Sequence, residues 1–222
     1  MTKTSIAAAV LALASLPLVA TAGPSASFHG QAQAPAHVNP DTVLYDQTSN
    51  DSGIGIVSQN FESTFNAYDA QAADDFTVPA NTVWNVTEVD VIGVYFNGAG
   101  LARDENITIY KSKKHLPGAV VFTSEIAGTD NGTGSFNIMI PKTKLKGGAS
   151  GTQYWVSVQA NMDFLVGGEW GWENQTTSEG TAAVWENPGN GFATGCTTYT
   201  TETTCIPDGQ GDHMFAIKGK AK

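Results

Sequence analysis

From residue 43 onward, apolar and polar positions alternate with a period of two, and no stretch keeps a helical stripe. Tyr154, Val156, Val158 and Ala160 fall on one face of an extended segment, with Trp155, Ser157 and Gln159 on the other. Ile107 and Ile109 alternate with Asn106, Thr108 and Tyr110. Phe136, Ile138 and Ile140 alternate with Asn137 and Met139 until Pro141 stops the run. Met214 and Ala216 oppose Phe215 and Ile217 near the end, and shorter extended runs lie at 43–45, 71–78, 120–123 and 182–186. Residues 82–96 are too long for one flat strand. Trp84 and Val86 keep one phase and Val89, Val91, Gly93 and Tyr95 the other, which predicts a bulge or bend near Thr87 and Glu88. About nine strands at this spacing predict an all-β fold, an antiparallel two-sheet sandwich of jelly-roll type.

The first 22 residues read differently. Lys3, an apolar run over 6–19 and the triplet Ala20-Thr21-Ala22 form a secretory signal that ends at an A-x-A site. The run is short of the roughly 20 residues needed to span a bilayer, so the expected product is exported, secreted or periplasmic, with no membrane insertion. Residues 23–41, rich in Ala, Pro, Gln and Ser, read as a flexible leader. Residues 42–222 then make a single β-sandwich domain. The formal charge of the chain is -10. Loss of Lys3 with the signal makes the exported chain more acidic still, which disfavours nucleic acid and anionic membranes as partners.

The stretch 154–173 draws most attention. Gly167 and Gly168 permit a reversal, after which Trp170 and Trp172 point to one side of an extended segment. Such a pair either plugs a core or forms a platform for sugar rings, with Trp185 and the amide of Asn174 as helpers. In 71–78 the period turns Asp74 toward the core beside Ala72, Phe76 and Val78. It must then cap backbone N–H groups or bind a cation. A structural Ca²⁺ held by Asp74, Asp75 and Asp212 is the metal reading, and no other cofactor is required. Cys196 and Cys205, in an exported chain, are expected to form a disulfide. Catalysis finds little: Glu169 and Glu173 could be drawn as a glycosidase pair, and His115 and His213 read as surface and strand-end residues.

The run QNFESTFNAYDAQAADDFTVP, the strand WNVTEVDVIGVYF, Leu116-Pro117-Gly118, YWVSVQANMDF, GGEWGW and the closing MFAIKG resemble a family of secreted bacterial β-sandwich domains over residues 43–219. That resemblance implies the fold and export but no catalytic set. The expected function is therefore a non-enzymatic binding or adhesion module for a glycan or cell-surface polymer. A structural component of an extracellular layer, filament or matrix is the alternative, and a small secreted hydrolase the weakest reading.

Overall fold

A computed structural model describes residues 23–34, 42–127, 130 and 132–222. The expected signal segment lies outside them. The strands in chain order are β1 (Ser27–His29), β2 (Thr42–Asp46), β3 (Asp51–Val57), β4 (Gln59–Asn60), β5 (Gln71–Val78), β6 (Val83–Val91), β7 (Gly93–Phe96) and β8 (Asp104–Ser112). They continue as β9 (Pro117–Ala127), β10 (Phe136–Lys146), β11 (Thr152–Asn161), β12 (Glu169–Gln175), β13 (Val184–Glu186), β14 (Thr200–Thr201) and β15 (Phe215–Ala221), with single helical turns α1 (Phe164–Gly167) and α2 (Glu202–Cys205).

Eight of these strands build a jelly roll. One sheet runs β2-β15-β6-β10, and the other contains β5-β11-β8-β9. As the chain advances it crosses between the two sheets, apart from the β8–β9 hairpin, and its last strand lies beside its first. The expected sandwich is thus present, with fifteen described strands rather than about nine. Of the seven strands outside the roll, β4, β13 and β14 extend its second sheet, and β1, β3, β7 and β12 form a third. The alternation explains the core: Trp84, Val86, Val89 and Val91 of β6 and Phe215 and Ile217 of β15 face Phe76, Ile109, Tyr154, Val156 and Val158 of the opposite sheet. Phe76 stacks on Trp84 between the layers, their planes 2° apart.

Residue Thr87 is where the phase changes. On the β15 side the register steps from Lys218 opposite Glu88 to Gly219 opposite Val86, and on the β10 side it shifts over the same residues. Thr87 is therefore the extra residue of a bulge, which lets both Val86 and Val89 point inward. A second break, at Ile92, ends β6 and starts β7.

β7 belongs to a third sheet of order β1-β3-β12-β7. Met214 O accepts from Ile92 N at 3.0 Å, and Ile92 O accepts from Glu173 N at the same distance, which ties this sheet to the roll. Part of the segment read as leader is structured. Ser27–His29 pairs with β3, and Phe28 stacks on Phe96 with centroids 4.6 Å apart. Alternation could not mark a three-residue strand with one buried side chain.

Candidate functional site

The aromatic platform expected on β12 is not on the surface. β12 pairs with β3 and β7 along its edges, both of its faces are covered by packed side chains, and Trp170, Trp172 and Trp185 are all 0% exposed. Trp170 stacks on Phe136 and donates its Nε1–H to Gly134 O at 2.6 Å. Trp172 donates to Met214 O at 2.9 Å, and Trp185 to Val57 O at 2.8 Å. Each indole fills apolar volume and satisfies a carbonyl. Asn174 is buried too: it donates to Asp212 O at 3.0 Å and accepts from Gln210 N at 2.9 Å. These four residues pin loops and cannot stack on a polymer.

The aspartates expected to hold Ca²⁺ lie close enough to raise one another's proton affinity. Asp74 points inward as expected. Its Oδ2 accepts from Gln47 Nε2 and from His213 N, both at 2.7 Å, and Oδ1 accepts from its neighbour's N–H. Asp75, on the opposite face of β5 from Asp74, is buried as well, because residues beyond β12 fold over it. It accepts from Thr181 N at 2.6 Å and from Gln153 Nε2 at 2.8 Å. Asp212 accepts from Glu179 N. This is the arrangement of carboxylates capping backbone donors. Among the described residues no group of three or more His, Cys, Asp or Glu side chains is placed to hold a metal.

The same end of the roll buries His213, which lies at the entry to the last strand as expected. Its Nε2 lies 2.7 Å from Glu202 Oε2, and both side chains are fully enclosed. His115 stays in the exposed β8–β9 turn. Cys196 and Cys205 are disulfide-bonded with Cα atoms 5.9 Å apart, which holds α2 and hence Glu202 in place.

Glu169 and Glu173 share the outer face of β12 but do not form a hydrolytic pair. They are four positions apart, a backbone span of about 13 Å, against the roughly 5–9.5 Å between the carboxyls of such pairs, and the Phe28 ring lies over Gly171 between them. Glu169 is pushed up to about 7 by burial, opposed by bonds from Ser25 N and Asn97 Nδ2. Glu173 is pushed up to about 8 by burial and then by the charge of Asp51.

One surface feature was not anticipated. The sequence contains two Lys-x-Lys-x-Lys runs, 142–146 on β10 and 218–222 on β15, and β6 lies between these strands. Registration places Lys144, Asn85 and Lys220 in one row across the sheet and Lys146, Val83 and Lys222 in the next. Lys142 lies beside Thr87 at the bulge, and a depression of about 260 Å³ is lined by Asn85, Thr87, Lys142, Lys220 and Lys222. Lys142, Lys144, Lys146, Lys220 and Lys222 are exposed. Lys218, the remaining member, is buried against Glu88 Oε1 at 3.1 Å and Asp90 Oδ2, which closes the row at that end. The period of two in each run was the available signal. Their union needed a strand register that spacing does not give.

Among the described residues no helix is long and apolar enough to cross a membrane. Compared with known protein families, with curated proteins and with solved structures, the chain finds no match in any of the three.

Proposed function

We propose that the protein is a non-enzymatic extracellular binding module for a cell-surface or matrix polymer, and that its contact surface is the outer face of β10-β6-β15. The observation that carries this reading is the lysine-walled trough: an open, linear, polar depression on a rigid sheet. Sheets hold side chains in fixed rows, so such a surface suits a repeating ligand better than a compact one. The buried disulfide fits an oxidising compartment. The buried tryptophans remove the earlier candidate surface without removing the reading, since the trough is independent of them. Co-sedimentation of the purified protein with a panel of insoluble neutral and acidic polysaccharides tests it. Retention by at least one polymer is expected, and failure to sediment with any of them would count against a binding module.

A second reading, a structural component of a layer or filament, draws on β9. This strand of eleven residues pairs with β8 alone and exposes Val120 and Val121 at 55% and 41%. Its first half carries two register shifts and its second half exposes Glu125, devices that discourage edge pairing. The trough is therefore the better-supported surface.

A further inference from the structure

The chain has 21 acidic residues and 11 basic ones, yet five of those basic residues share one outward face. Lysines at this density repel one another, so their concentration on an acidic protein calls for a ligand. The loops that border the trough at its open end, residues 79–82 and 147–151, contain no Asp or Glu. Gly147 N donates to Thr82 O at 3.0 Å, which holds these two loops together beside the first lysine row.

The geometry points to an acidic polysaccharide bound along β6, with its carboxylate or sulfate groups held by Lys144, Lys146, Lys220 and Lys222. This deepens the binding reading above and rests on it. Strand spacing puts the two lysine walls about 10 Å apart and successive rows about 7 Å apart, wide enough for one extended chain between them. Asn85 and Thr87 line the floor and half-buried Val83 follows on the same strand: an amide, a hydroxyl and a small apolar patch, the mixture that faces a sugar's hydroxyls and its apolar face. The walls contain no arginine, whose fork suits phosphate, and the floor has no aromatic ring for base stacking. Both absences favour a carboxylated or sulfated glycan over nucleic acid. The net charge does not forbid this. At an ionic strength near 0.1 M the screening length is about 10 Å, so a ligand in the trough feels the nearby lysines far more than the distant carboxylates.

The test compares soluble polygalacturonate, neutral dextran and duplex DNA as ligands for the full protein, for the double variant Lys144→Glu, Lys220→Glu, and for a control variant Lys113→Glu, Lys114→Glu in the β8–β9 turn. Polygalacturonate is expected to bind the wild type and the control alike, to be released by 1 M salt, and to bind the trough variant at least tenfold more weakly with an unchanged melting temperature. Dextran and DNA are expected to bind more weakly than polygalacturonate. Equal binding by the trough variant, or tighter binding of DNA, would overturn the inference. Salt-insensitive binding of dextran by wild type and trough variant alike would overturn it while leaving a polymer-binding module in place. Binding of no polymer, here or in the sedimentation panel, would remove both.

Discussion

The imidazole of His213 lies against the indole of Trp172, with ring centroids 4.5 Å apart and planes 18° from parallel. This contact joins β12 to the start of β15, the point where the third sheet meets the jelly roll. Trp172→Ala should therefore empty the junction and leave Met214 O without its donor. A loss of about 3–5 kcal/mol in urea denaturation is expected, whereas Trp172→Phe should cost less because most of the volume is kept.

Asp74 serves three donors, so Asp74→Ala should strand the Gln47 amide and the His213 and Asp75 N–H groups. A cost of about 2–4 kcal/mol is expected. Asp75→Ala strands two donors and should also destabilise. A chelator tests the remaining question: with carboxylates that cap protein donors, EDTA should leave the wild-type melting temperature unchanged, and a drop abolished by Asp74→Ala would assign a cation to them instead.

Burial raises Asp212 to about 6, Glu169 to about 7 and Glu173 to about 8, and raises Asp74, Asp75 and Asp90 as well. Each binds its proton more tightly in the folded chain than in the unfolded one. The folded state thus holds more protons between the ordinary carboxyl range and these raised values, and stability falls as pH rises through that window. Denaturation midpoints should be higher at pH 5 than at pH 8.5. Glu173→Gln should reduce the difference, by about 1–3 kcal/mol.

The disulfide closes a loop with a sequence separation of 9. Replacing both Cys196 and Cys205 with Ser should cost about 2–3 kcal/mol in the chain-entropy model. Because α2 carries Glu202 to His213, the same variant should also speed hydrogen exchange at the start of β15. Comparison of the two proteins by exchange mass spectrometry checks this, and protection unchanged at 212–215 would separate the loop from the His213 junction.

At Gly171 an added Cβ would meet Phe28 Cζ at 2.5 Å and the Gly55 backbone at 2.9 Å. Gly171→Ala should therefore loosen Ser27–His29 from β3 before it disturbs the roll. Limited proteolysis is expected to cut within residues 25–30 faster in the variant, while the main unfolding transition moves little.

The strands of the roll were legible because one face of each is apolar and the other polar, as in Phe136 to Ile140 and in 107–110. The phase change at Thr87 was legible for the same reason: two alternations met out of step. The fate of the tryptophans was not. Period two correctly puts Trp170 and Trp172 on the same side of β12, yet Glu169, Gly171 and Glu173 on its other side are buried as well, so alternation there does not distinguish core from surface. β1, β4 and β14 were missed because two or three residues cannot establish a period. The burial of Asp75 and His213 was not legible because the segments that cover them join the site from more than 100 residues away or through loops without pattern.

β15 is the last of the described strands in chain order, and it lies between β2, among the first, and β6. Until residues 215–221 are available, β2 lacks its described neighbour and the inner faces of β2 and β6 cannot be sealed by Phe215 and Ile217. The contacts of this layer span residues 42 to 221, and pairing over such sequence distances is the condition for slow folding. Removal of residues 215–222 would leave two sheet edges unpaired and an exposed core, so β15 acts as the keystone of the sandwich.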